Sequence, residues 1–163
     1  MKNDSKIILG IDPGYDRLGV CLLEKTSRLE NKLIFSSCLE SQRTERLYER
    51  IFYLCQELKK IILSYQPTEL SIEKLFFTSN QKTAMGVSEV RGAIIFLGQT
   101  LGLKIFEYTP LQVKIALTGY GKAEKSQINF MVQKILRLEI QDKQRDDEFD
   151  AIAIALTHAV SSK

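Results

Sequence analysis

The stretch Lys6-Ile7-Ile8-Leu9-Gly10-Ile11-Asp12-Pro13-Gly14 decides the fold class. Residues 6–12 form an apolar run of strand length, and Pro13-Gly14 stops it. The residue before a proline is pushed towards extended geometry, so Asp12 belongs at a strand end and not in a helix. Two further apolar runs follow, 18–24 (LGVCLLE) and 32–39 (KLIFSSCL), which predicts a three-stranded meander. From Arg43 to about Tyr65, Leu47, Ile51, Leu54, Leu58 and Ile61 recur at helical spacing until Pro67 ends the pattern. A short strand over 69–73 ends in Glu73, a loop over 74–82 leads to a helix over 83–101, and 103–108 (LKIFEY) reads as another strand. A short helix at 110–117, a glycine turn at 118–121 and a helix over 123–138 come next. A polar loop over 139–146 and a last helix over 147–160 complete the order. Strands first, then alternating helix and strand, indicate an α/β (α+β) domain on one mixed sheet, with no boundary or repeat across residues 1–163.

The composition agrees. Hydrophobic residues make up 44% of the chain and charged residues 26%, which excludes disorder and collagen-like repeats. A chain of 163 residues buries roughly two-thirds of its unfolded surface, enough for a core without staples. No apolar run approaches the roughly 20 residues of a membrane span, and no signal-peptide cleavage pattern follows the N-terminal apolar run. Cys21, Cys38 and Cys55 form no CxxC pair and are odd in number, which argues against a disulfide framework and a thiolate metal site. The expectation is a soluble cytoplasmic protein with no membrane partner. His158 is the only histidine, so a His-rich metal centre is excluded; it reads as structural. The net charge of +3 divides unevenly, as +1 over residues 1–72, +5 over 73–137 and −3 over 138–163. Chance explains that as well as a phosphate footprint beside a cation-binding carboxylate cluster does.

Four carboxylates stand out as chemistry. Asp12 ends the first strand and Glu73 the fourth, and Asp147 and Asp150 share a face at the start of the last helix. Singly, each has a plainer explanation: a turn with Pro13-Gly14, a solvated strand end, a helix cap or first-turn acid. Together they suit magnesium, which takes hard oxygen ligands. Two ions about 4 Å apart, bridged by carboxylates, can activate a water and stabilise the leaving oxygen of a phosphodiester. The lysines of the middle third would then hold the polyanionic backbone. The Asp12, Gly14, Gly19 pattern is also similar to the phosphate loop of actin-like ATPases, but 163 residues cannot supply their two large lobes.

Six blocks resemble the RuvC-type Holliday-junction resolvases, in order and at compatible spacing. They are GIDPG (10–14), LSIEKLFFTSN (70–80), EVRGA (89–93), IFEYTPLQVK (105–114), GYGKAEKSQINFMVQKILRL (119–138) and DDEFDAIAIALTHA (146–159). The resemblance implies a ribonuclease-H-like fold, a five-stranded mixed sheet with three antiparallel strands and flanking helices. It implies a homodimer that binds a four-way DNA junction and nicks two strands symmetrically, leaving 5′-phosphate and 3′-hydroxyl ends. Its catalytic and metal-binding carboxylates fall on Asp12, Glu73, Asp147 and Asp150, with two Mg²⁺ ions per site and Mn²⁺ as a substitute. Its junction-contacting aromatic residue falls on Phe76, with Phe77 beside it; a ring there stacks on an unpaired base. Its two important lysines fall on Lys114 and Lys125, and Arg91 is a weaker candidate for the DNA surface. A branch-migration motor is a further implied partner.

The chain also departs from the family. After GIDPG the family runs through small residues and threonine to Gly-x-Gly, whereas Tyr15-Asp16-Arg17-Leu18-Gly19-Val20-Cys21 keeps one glycine and adds a carboxylate near Asp12. Glu148-Phe149 stands where the family favours alanines. Two rival readings are another ribonuclease-H-like nuclease acting on RNA or flaps, and a non-catalytic junction-binding module. The intact carboxylate set argues against the second, because like charges held close cost stability unless a cation binds.

Overall fold

The computed structural model describes residues 5–27, 30–75, 81–138 and 146–162. Strands β1 (Lys6–Asp12), β2 (Arg17–Lys25) and β3 (Asn31–Glu40) form the expected antiparallel meander. β4 (Glu69–Glu73) lies parallel to β1, and β5 (Lys104–Tyr108) parallel to β4, giving one mixed sheet ordered β3-β2-β1-β4-β5. The helices are α1 (Leu47–Tyr65), α2 (Gln81–Thr100), α3 (Pro110–Thr118), α4 (Lys125–Leu136) and α5 (Asp146–Ser161). This is the ribonuclease-H-like arrangement that the resemblance implied.

Side chains alternate between the two faces of a strand, and that alternation divides the core. Leu9 and Ile11 of β1, Leu18, Val20 and Leu22 of β2, and Leu70 and Ile72 of β4 face one way. They pack under Leu54, Leu58 and Ile62 of α1 and Val90 and Ile94 of α2. On the other face Ile8, Cys21 and Leu23 meet α5, which is roofed by Val113 and Leu117 of α3 and Val132 and Leu136 of α4. Every residue of α5 from Ala151 to Ala159 is buried. The helix lies this close because Gly10 has no side chain: a Cβ there would stand 2.4 Å from the Ala151 carbonyl oxygen and 2.7 Å from Ala155 Cβ.

Element boundaries move by a few residues, for local reasons. α1 begins at Leu47 and not Arg43, because Arg46 is extended and its amide donates to Glu49 Oε2 at 3.0 Å. α4 begins at Lys125 and not Ala123; the Ala123 amide is tied to the Tyr120 carbonyl in the glycine turn, and the Glu124 amide donates to Gln127 Oε1 at 2.9 Å. It ends at Leu136, since Arg137 turns left-handed at φ 52°. Residues 139–145 and 76–80, within the predicted loops, lie outside the described residues. On α2, Ile94 and Leu97 join the core, whereas Met85 is exposed. Among the described residues no helix is long and apolar enough to cross a membrane.

Candidate active site

Strand register brings the first two carboxylates together. Ile11 of β1 is the parallel partner of Ile72 of β4, so the next residues, Asp12 and Glu73, end adjacent strands side by side. Leu70 and Ile72 are committed to the α1 and α2 face, so alternation sends Glu69, Ser71 and Glu73 towards α5. Asp12, one step beyond Ile11, faces the same way. Asp147 and Asp150 enter from the first turns of α5. Gly19, the antiparallel partner of Asp12, lets them descend: a Cβ on it would stand 2.0 Å from the Asp147 carbonyl oxygen and 3.1 Å from Asp12 Cβ.

The electrostatics record the crowding. Burial, then the charges of Asp150, Glu73 and Asp147, push the Asp12 carboxyl up from 3.8 to about 7, against the opposing pull of Lys125. Glu73 is also raised, by burial and then by Asp150. Lys125 Nζ donates to Asp150 Oδ2 at 2.8 Å and lies 3.7 Å from Asp146 Oδ2. Burial alone lowers the affinity of Lys125 for its proton; the bond to Asp150 and the charges of Asp150, Asp146 and Asp12 outweigh that and raise it. Arg17 Nε stands 3.1 Å from Asp147 Oδ2, and Cys38 Sγ lies 3.8 Å from the same oxygen.

The donor set is wholly hard oxygen, and two of its members hold a proton more tightly than free carboxylic acids do. That chemistry fits a divalent cation, which would replace the proton. As placed, no three His, Cys, Asp or Glu side chains among the described residues are grouped to hold a metal ion. Asp147 and Asp150 each give one oxygen to a cationic side chain. Coordination by all four would therefore use the second oxygen of Asp147 and of Asp150, or displace Arg17 and Lys125.

A cleft of about 360 Å³ opens beside the carboxylates. Glu73 and Asp150 line it together with Lys114 of α3, Val113, Lys122 and Lys125. Lys114 and Lys125 were expected from the sequence; Lys122 was not. Its signal was its place in the basic middle third, at the end of the glycine turn. Phe76 and Phe77 lie outside the described residues.

The structure also places Arg91, Asp16 and His158. Arg91 is tied within the fold: its Nε donates to the Glu73 carbonyl at 3.0 Å, its Nη2 pairs with Glu107, and only 16% of its side chain is exposed. Tertiary contacts thus use the charge that the sequence shows. Asp16 does not join Asp12; it pairs with Arg50 and Arg43, and Arg50 also bonds the Tyr15 carbonyl and Ser41 Oγ. His158 is structural, as expected. It is buried, with Nε2 2.9 Å from Glu69 Oε2 and Nδ1 2.7 Å from the Tyr108 hydroxyl. Burial lowers its pKa and its bond to Glu69 opposes that, so in the neutral ring Nε2–H donates to Glu69 and Tyr108 donates to Nδ1. From Asp150 to His158 the helix advances about 12 Å, and from Glu73 back to Glu69 the strand covers about 13 Å. The His158–Glu69 bond therefore fixes the register that sets Asp150 over Glu73.

Comparison with known proteins gives the family. Residues 8–158 match the profile of the family described as Crossover junction endodeoxyribonuclease RuvC. The protein of that name from Caldicellulosiruptor saccharolyticus is 43% identical over 155 residues, 95% of this chain and 93% of its own. The one from Desulforamulus reducens is 45% identical over 153 residues, 94% of this chain and 93% of its own. Among solved structures, T. thermophilus RuvC in complex with Holliday junction substrate superposes with a TM-score of 0.90 at 29% identity, covering 96% of this chain and 94% of that one. The chain belongs to the RuvC family of crossover junction endodeoxyribonucleases, which are metal-dependent nucleases.

Proposed function

We propose that this chain resolves four-way DNA junctions by metal-dependent hydrolysis of two symmetrically placed phosphodiesters, in recombination and repair. The convergence of four carboxylates from β1, β4 and α5 beside a lysine-lined cleft carries the reading. Asp12, Glu73, Asp147 and Asp150 would hold the metal, Mg²⁺ by preference given the all-oxygen donors, with Mn²⁺ as a substitute. Bound there, two such ions would supply a lowered pKa for the attacking water and charge neutralisation at the leaving 3′-oxygen. Lys114, Lys122 and Lys125 draw the backbone into the cleft, and Lys125 lies close enough to Asp150 to place a proton donor beside the reacting phosphate. Phe76 and Phe77 follow Glu73 closely in the chain and would stack on bases unpaired at the branch point. Arg91 braces the end of β4 through the Glu73 carbonyl.

Two cuts about one junction need two copies related by a two-fold axis. Tyr48, Phe52 and Tyr53 on α1 and Met85 and Phe96 on α2 are exposed apolar side chains on the sheet face away from α5, and they support a homodimer through those helices. The domain spans residues 1–163. Cys21, Cys38 and Cys55 are in no disulfide, which suits a reducing cytoplasm, and a branch-migration motor acting on the same junction is the natural further partner.

The test is cleavage of a labelled mobile junction with Mg²⁺, Mn²⁺ or chelator, beside linear duplex and flap controls. Paired, metal-dependent nicks on opposite arms with ligatable ends, lost in Asp12→Asn, are expected. Equal cutting of the controls would make it a general nuclease, and binding without cutting a junction-binding module.

A further inference from the structure

The α5-facing side of β2 begins Arg17, Gly19, Cys21, alternating with the core residues Leu18, Val20 and Leu22. Because Gly19 has no side chain, the backbone of Asp147 rests almost on it. The Asp147 carboxylate is thereby set between Arg17, two residues earlier on the same strand, and Cys38, which is the cross-strand partner of Gly19. Both reach the same oxygen, Oδ2, at 3.1 Å and 3.8 Å. Among the described residues no hydrogen-bond or ion-pair partner reaches Oδ1. Asp150 repeats the pattern, with Lys125 on Oδ2. Asp147 and Asp150 are thus held by cations from two different elements, β2 and α4, whereas Asp12 and Glu73 have no side-chain hydrogen bond or ion pair among the described residues. Four ionised carboxylates carry −4, and Arg17 and Lys125 bring the group to −2.

We propose that Arg17 is a positioning residue of the metal site: it fixes Asp147 by Oδ2 so that Oδ1 is presented to the cation, and its charge moderates how tightly that cation is held. The proposal rests on the reading of this chain as a metal-dependent nuclease. It lies in the segment where the chain departs from its family's usual run after GIDPG. A guanidinium suits the task because it stays charged at any working pH, and here its Nε stands against a single carboxylate oxygen and leaves the other clear. The plainer alternative is a half-exposed ion pair of little consequence, since 51% of the Arg17 side chain is open to solvent.

The decisive experiment titrates Mn²⁺ into DNA-free protein by calorimetry for wild type, Arg17→Gln and Arg17→Lys, then measures single-turnover junction cleavage at saturating Mn²⁺. Removing the charge in Arg17→Gln tightens Mn²⁺ binding by about 3- to 10-fold, because a like charge beside the cation is gone. The same variant cleaves about 10-fold more slowly with metal saturating, because Asp147 is no longer oriented, while junction affinity stays within about twofold. Arg17→Lys keeps wild-type Mn²⁺ affinity, since its charge is retained, and recovers part of the rate. Unchanged Mn²⁺ affinity and cleavage in Arg17→Gln would reduce the contact to a surface ion pair and overturn the proposal. Weakened junction binding with unaltered Mn²⁺ affinity would overturn it too, making Arg17 a DNA contact. If wild type binds Mn²⁺ but cuts no junction, the resolvase reading fails, and the calorimetric comparison still decides the electrostatic role of Arg17.

Discussion

Replacing Asp12 with asparagine measures directly what the site costs the fold. The Asp12 carboxyl is raised from 3.8 to about 7 by burial and by Asp150, Glu73 and Asp147. Ionising it in the folded chain therefore costs up to about 4 kcal/mol relative to the unfolded chain. Because the folded-state pKa is raised, that penalty is absent below about pH 4, grows as pH rises towards 7, and is complete above it. Asp12→Asn never ionises at this position. In chelator at pH 8 it should be more stable than wild type by about 2–4 kcal/mol, and at pH 5 by about 1.5 kcal/mol at most. Urea unfolding of both proteins at the two pH values, with matching m-values, gives the numbers. Saturating Mn²⁺ should shrink the gap at pH 8, because the wild type gains binding free energy that the variant largely lacks. An asparagine variant no more stable than wild type at pH 8, or equally stabilised at pH 5 and pH 8, would refute the account of a carboxylate cluster under strain.

Lys125→Gln, which removes the 2.8 Å bond to Asp150, should slow single-turnover cleavage by about 100-fold or more, well beyond the loss of junction affinity that one phosphate contact accounts for; a loss of rate no larger than the loss of affinity would reduce Lys125 to a backbone contact. Gly19→Ala puts a methyl group 2.0 Å from the Asp147 carbonyl oxygen, so it should destabilise by about 2 kcal/mol or more and abolish any Mn²⁺-induced rise in melting temperature. His158→Ala leaves Glu69 buried with only Lys6 as a side-chain partner and should cost about 2–3 kcal/mol in a denaturant titration; a loss below about 1 kcal/mol would show the His158–Glu69 bond to be dispensable. Lys114→Gln and Lys122→Gln should each flatten the slope of log affinity against log salt by about 0.9, and no change would remove that lysine from the DNA path.

How far the sequence discloses this site depends on the range of the interaction. Asp12, Glu73, Asp147 and Asp150 stand at strand ends or in a helix's first turns, positions fixed by local signals such as Pro13 and the apolar runs before them. They are legible because chain direction and two-residue alternation already limit where they can point. Arg91 shows the opposite case. Its partners are a backbone carbonyl 18 residues earlier and Glu107, 16 residues later, and no local pattern distinguishes that tie from a solvated charge. Asp16 looked like a neighbour of Asp12 because sequence separation is small, yet Arg50 and Arg43 claim it from beyond β3. The role of His158 depends on α5 and β4 running side by side in opposite senses, a register that exists only once the sheet has closed.

The burial of α5 has a kinetic consequence. From Ala151 to Ala159 it has no exposed stretch from which to fray, and its small side chains hold it against Gly10. Its amides should exchange with deuterium only when the whole sheet opens, so their protection reports global stability. Asp147 and Asp150, in the first turns of that same helix, are then not assembled by a moving loop at each encounter with substrate. Any agent that stabilises the native chain should slow exchange along α5 by the corresponding factor, which makes that helix a ligand sensor needing neither label nor cleavable DNA.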